Sequence, residues 1–173
     1  MRLAIWTMAA MAIALPAAAQ VRVAISEEVS FTVADGASTV EKRLPAVPNP
    51  YEHAVAQEFS RGEHKDAIGA TGKVVSPRAD QPAGPIPEAG KIRVRFTPVS
   101  RGADALLVIE NGYDRALVYR ATIGAGDKSA PTDVCLVMPG KVSVEHWPFK
   151  IDWIALRDFR LVPWKPGDPL TCA

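Results

Sequence analysis

The chain predicts an all-β fold: an antiparallel β-sandwich with at most one short helix, a small β-barrel being the alternative. Three observations carry this reading. Apolar and polar residues alternate over short runs rich in Val, Ile, Phe and Tyr; turn residues recur between the runs; and helical spacing appears in one place only. About seven to nine short strands follow.

Before the first run stands MRLAIWTMAAMAIALPAAA, residues 1–19. Arg2 supplies a positive end, Leu3 to Leu15 an uncharged apolar run, and Pro16 a break before the small residues Ala17, Ala18 and Ala19. A bilayer core needs roughly 20 apolar residues, so the run is short for a membrane anchor and fits a cleaved secretory signal. No cysteine follows the small residues, and no twin arginine precedes the run, so a lipid-anchored protein and export in the folded state are disfavoured. A single mature domain, 20–173, is expected in the periplasm or outside the cell, with no integral membrane segment. Loss of Arg2 takes Lys+Arg from 20 to 19, against 19 Asp+Glu. A net charge near zero gives no basis for nucleic-acid binding, which needs a basic surface to displace counterions.

Val21, Val23 and Ile25 alternate with polar or small neighbours, as do Val29, Phe31 and Val33. Glu27-Glu28 breaks the phase, which leaves two short strands or one bulged strand, and Asp35-Gly36 closes it with a turn. PAVPNP, residues 45–50, cannot continue a ladder because proline lacks the donor. Tyr51, Val55 and Phe59 then recur at helical spacing, with Asn49 as cap, Pro50 at the first position and Gly62 as the stop. A long loop rich in proline and glycine occupies 76–90.

From Lys91 the alternation resumes with Ile92, Val94 and Phe96. An apolar run from Leu106 to Ile109 leads into ENGYDR, where Asn111-Gly112 is the expected place for positive φ. Leu117, Tyr119, Ala121 and Ile123 follow in alternation. This strand–turn–strand layout resembles the B and C strands of immunoglobulin-like sandwiches over about twenty residues. The resemblance is one of layout and implies no function.

Val134, Leu136 and Met138 alternate, as do Val142 and Val144, around Pro139-Gly140. A three-residue hairpin loop, Pro139 to Lys141, would set Met138 opposite Val142 and Leu136 opposite Val144, with all five apolar residues on one face. Cys135 would then share the other face with Trp147. The apolar run IDWIAL precedes the alternating Phe159 and Leu161, and Pro163, Pro166 and Pro169 forbid a regular strand beyond Val162. The tail needs a pin. Cys135 and Cys172 form an even pair in an oxidising compartment, so a disulfide is expected.

Familiar chemistries find little support. His53, His64 and His146 show no zinc-ligand spacing, Met138 is the lone methionine after the signal, and no nucleophile elbow, Walker loop or dinucleotide fingerprint is present. Ser129 has no activating neighbour in sequence. Glu110 and Asp114 flank the ENGYDR turn, where ordinary turn and solvent roles account for them. No catalytic residue, cofactor or metal site is expected.

Trp147, Trp153 and Trp164 all fall within the Cys135–Cys172 loop. Core packing is the first expectation for them, and IDWIAL makes Trp153 the core residue. Trp147 and Trp164, beside prolines near strand ends, are the candidates for an exposed aromatic surface, joined by the turn residues Tyr113, Asp114 and Arg115. The expected function is non-catalytic binding of a protein or glycan of the cell envelope or exterior. The alternative is a carbohydrate-active protein, either a sugar-binding module or a small glycoside hydrolase with paired carboxylates.

Overall fold

The computed structural model describes residues 20–62, 82–169 and 172. The expected signal segment, His64 and residues 76–81 of the proline-rich loop lie outside them. The two apolar runs nearest the N-terminus form β1 (Val21–Ala24) and β2 (Glu27–Ala34). Between them Ser26 adopts a left-handed conformation, φ 66°. The interruption at Glu27-Glu28 is therefore a change of sheet rather than a bulge: β1 pairs with the last strand, β2 with strands of the opposite sheet.

Asp35 and Gly36, φ 50° and 80°, close a two-residue hairpin from β2 into β3 (Ala37–Pro45). No alternation announces β3, because as an edge strand it buries almost nothing: every residue but Ser38 is exposed. Pro45 ends its ladder opposite Glu27.

The helix forms as its local signals require. α1 spans Pro50–Arg61. The Asn49 side chain accepts from the Glu52 N–H at 2.9 Å, and Glu52 Oε2 accepts from the Asn49 N–H at 2.7 Å, a reciprocal capping box. Gly62 ends the helix at φ 66°, its N–H donating to the Phe59 carbonyl.

β4 (Ile92–Val99) and, after a short 3₁₀ turn at Ser100–Gly102, β5 (Asp104–Asn111) pair antiparallel. The chain then crosses to the other sheet for β6 (Ala116–Ala125) and β7 (Lys128–Thr132), returns for β8 (Val142–Trp147) and crosses again for β9 (Trp153–Val162). The result is two antiparallel sheets, ordered β1-β9-β6-β7 and β3-β2-β4-β5-β8. Fully buried Phe31, Phe96, Ile109, Ile154 and Leu156 lie in the main core with Phe159 and Tyr119. Two separate sheets make the fold a sandwich, not a barrel. Among the described residues no helix is long and apolar enough to cross a membrane.

Three expectations are corrected. Residues 134–138 do not pair with β8. Val137 bridges Leu117 of β6 and Cys135 bridges Cys172, while β8 pairs with β5. The expected single apolar face does not form: Val134 and Val137 reach the main core, whereas Val142 and Val144 pack against the cluster beneath α1. The ENGYDR turn carries no positive φ at Asn111 or Gly112. Asn111 instead works through its buried amide, which donates to the carbonyls of Arg115, Val137 and Met138 and accepts from the Tyr113 N–H. Gly112 is required by crowding, since a Cβ there would overlap the Glu88 carbonyl. Trp147 is buried in the main core, edge-on to Phe96, with its indole N–H donating to Thr132 Oγ1 at 3.0 Å.

The disulfide forms as expected between Cys135 and Cys172, with Cα atoms 4.0 Å apart.

Candidate functional site

The two outward faces of the sandwich differ in kind. On the five-stranded sheet, strand parity aligns Glu28, Arg95 and Val108 in one row and Ser30, Arg93, Glu110 and Val142 in the next. The helix α1 lies over this face, seating Val55 and Ala56 on Val99, Leu106 and Val108. Its buried Glu52 meets the Arg95 guanidinium, Nε to Oε1 at 2.8 Å, and the same guanidinium reaches Glu28 at 2.6 Å and the Val47 carbonyl at 2.8 Å. Beside them Arg93 grips Glu110 with two nitrogens, at 2.8 and 2.5 Å. Burial pushes the Glu110 carboxyl above its ordinary value even with this partner, and burial likewise raises the Tyr51 phenol. At the far end His146 is sandwiched between the Phe59 ring, centroids 4.6 Å apart, and Asp104, 3.2 Å from its Nε2.

Glu28, Glu52 and Glu110 are each held by an arginine, and Glu52 and Glu110 are buried. Gly84 of the 82–91 segment lies against the Tyr51 ring, and Gly112 exchanges hydrogen bonds with Gly90 and Lys91. Glu110, expected at a solvent-facing turn, is in fact a buried β5 residue. His146 is tucked under Phe59, while His53 is exposed on α1. Chemically this layer is a clamp that fastens helix to sheet.

The four-stranded sheet is built the other way. Val21, Val23, Ile154 and Leu156 face the core, so period two turns Arg22, Trp153, Ala155 and Arg157 outward. Across the ladder Ala155 lies between Arg22 and Thr122, Trp153 between Ala24 and Gly124, and Arg157 opposite Arg120. Gly124 is buried beneath the Trp153 indole, which any Cβ there would strike. The Arg22 guanidinium lies over the ring, 4.0 Å from its centroid.

A bulge then alters the parity. Asp158 takes a left-handed conformation, φ 57°, and the register slips between Val118 and Arg120. Residues three apart in a regular strand point to opposite faces. The extra residue places Arg160, opposite Val118, on the same outward face as Arg157 and Arg120. Arg22, Arg120 and Arg160 are exposed, and among the described residues no carboxylate pairs with them; Arg157 bonds Asp158 at 2.7 Å. Asp158 is the only acid in the four strands of this sheet, whereas β2, β3, β5 and β8 carry Glu27, Glu28, Glu41, Asp104, Glu110 and Glu145. The chain's near-neutral total conceals a division of charge between two faces.

The residues singled out in the sequence scatter. Trp147 is in the core. Trp164 is half-buried, and its enclosed indole nitrogen has no hydrogen-bond partner among the described residues. Tyr113 is half-buried, its hydroxyl accepting from the Val33 N–H at 2.9 Å, while Asp114 and Arg115 are exposed at the turn. Trp153, expected in the core, instead lies on the arginine face. Outward parity of Arg22 and Arg120 was legible beside their apolar neighbours, but the bulge that adds Arg160 was not. Comparison with protein-family models, with curated proteins and with solved structures finds no match to this chain.

Proposed function

We propose that the protein is an exported, non-catalytic binding module of the cell envelope or exterior, and that the outward face of the four-stranded sheet receives its partner. The N-terminal apolar run with its small-residue cleavage pattern and the Cys135–Cys172 bridge support export. The open basic face carries the binding reading. One side of the sandwich is roofed by α1, with Arg93 and Arg95 paired; on the other Arg22, Arg120 and Arg160 are exposed with no carboxylate partner among the described residues. Arg120 stands directly opposite Arg157 across the ladder, an arrangement of like charges that Asp158 offsets only at Arg157.

The buried carboxylates support this reading over a glycoside hydrolase. Such enzymes need two carboxyl groups flanking a substrate, with one free to give a proton. Glu52, Glu28 and Glu110 are all committed to arginines.

The test uses the exported protein and an envelope fraction from the cells that export it. Mass spectrometry should find Gln20 at the N-terminus. The fraction should retain the wild type and release a folded Arg120→Glu/Arg160→Glu variant. Retention equal for both proteins would remove the arginine face from the function, and recovery of an intact Met1 form would overturn export with cleavage.

A further inference from the structure

Resting on that reading, we infer that the ligand of the arginine face is an anionic glycan-type polymer, whose sugar or polyol units carry carboxylate or phosphate groups. The argument starts from what the face offers. Across β1, β9 and β6 it presents Arg22, Arg120 and Arg160 exposed and Arg157 half-buried, with Ala155 and Gly124 buried beneath the larger side chains. An extended polymer can lie along such a surface and meet several cations in succession.

The arginines are arranged for oxyanions. The guanidinium of Arg22 lies over the Trp153 ring, 4.0 Å from its centroid, and Trp153 itself lies over Gly124, so the cation is positioned by its ring contact. A guanidinium fixed in this way loses less freedom on forming paired hydrogen bonds to a carboxylate or phosphate. Arg120 and Arg157 oppose one another, and the Asp158 bulge adds Arg160 in the next row. One rigid strand, β9, thus supplies two cations and its neighbours two more.

Other polyanionic partners fit less well. A stable protein partner needs an apolar centre with large side chains. Here the large aromatic, Trp153, is already covered by Arg22, and among the described residues the exposed large apolar ones, Val40, Leu44, Val47, Ile86 and Phe149, all lie outside this sheet. The same lack leaves the described strands of this sheet without a wedge to enter a lipid bilayer.

The experiment measures binding of the mature, disulfide-bonded protein to four probes: a polyuronate, a poly(glycerol phosphate), neutral dextran, and phosphatidylcholine vesicles containing phosphatidylglycerol. Three proteins are compared: wild type, Arg120→Glu/Arg160→Glu, and the equally charged control Lys42→Glu/Lys141→Glu, whose sites belong to the other sheet or its approach. Circular dichroism establishes that all three fold. The expected result is wild-type binding to the polyuronate or the poly(glycerol phosphate), weakening with salt, at least tenfold poorer in the arginine variant and little changed in the lysine control. The first two probes decide between carboxylate and phosphate. Equal losses in both variants, binding to vesicles without either glycan, or no binding to either glycan would overturn the inference. Should the arginine variant lose envelope retention while neither glycan binds, the binding face stands and the glycan class falls. Unchanged retention removes the face itself.

Discussion

Replacing Arg95 with methionine tests the clamp between helix and sheet. The side chain of Glu52 is 0% exposed and that of Arg95 16%, and the guanidinium bonds Glu52, Glu28 and the Val47 carbonyl together. Methionine keeps most of the stem's packing and removes the charge. Glu52 then stays buried with the Asn49 N–H as its remaining donor among these contacts. Removing one partner of a buried pair costs about 3–5 kcal/mol. Glu28, at 15% exposure, can turn to water, so the lower end applies, about 3 kcal/mol. For a chain of this size the melting temperature should fall by about 6–12 °C. Urea unfolding should show a lower midpoint with an unchanged slope. Adding Glu52→Gln should recover part of the loss, because glutamine still closes the capping box and buries no charge. A loss below about 1 kcal/mol, the size of an exposed pair, would refute the reasoning. So would a double variant no more stable than Arg95→Met.

Three further outcomes follow from the described contacts. Cys172→Ser should lower stability by about 2–4 kcal/mol in urea and open the Pro163–Pro169 tail to protease; an unchanged midpoint would show that the bridge does not hold the tail. Gly112→Ala should push the Glu88 carbonyl away, cost about 1–3 kcal/mol, and make the 82–91 segment a site of limited proteolysis, where wild-type resistance would count against the contact. Because burial raises the folded carboxyl value of Glu110, its contribution is full below the unfolded value of about 4.3 and is lost as pH rises through the folded one. Wild type should therefore lose stability relative to Glu110→Gln as pH rises across that window, and a difference growing in favour of wild type would contradict the direction.

What the sequence disclosed was local. The helix was legible to the residue, because Asn49, Pro50 and Gly62 act within one turn of their own positions. The inward residues of β1, β2, β4 and β6 were legible because each strand has one face on the core. β3 was not, since an exposed edge strand need not alternate. The hairpin drawn for 134–144 failed on a long-range fact, the pairing of Val137 with Leu117. Glu110 looked like a turn residue until Arg93, a cross-strand neighbour, appeared beside it. The exchange of roles between Trp147 and Trp153 has the same origin. Which side of a strand meets the core depends on the partner sheet, and Trp153 finds its place over Gly124, a residue of β6. The arginine face was half-written in the sequence as outward parity, and completed by a bulge that no pattern of apolar residues announces.

The pairing of β1 with β9 sets a schedule for the chain. Among the described strands β1 pairs only with β9, so the four-stranded sheet cannot close until β9 is available. Such far-separated pairing is slow to form. In the folded protein β1 covers the flank of β9 that would otherwise stay unpaired and adhesive. Under the proposed export such a delay would keep the chain threadable, and removal of a leader ahead of Gln20 would free the strand that seals the sheet, joining release to completion of the fold.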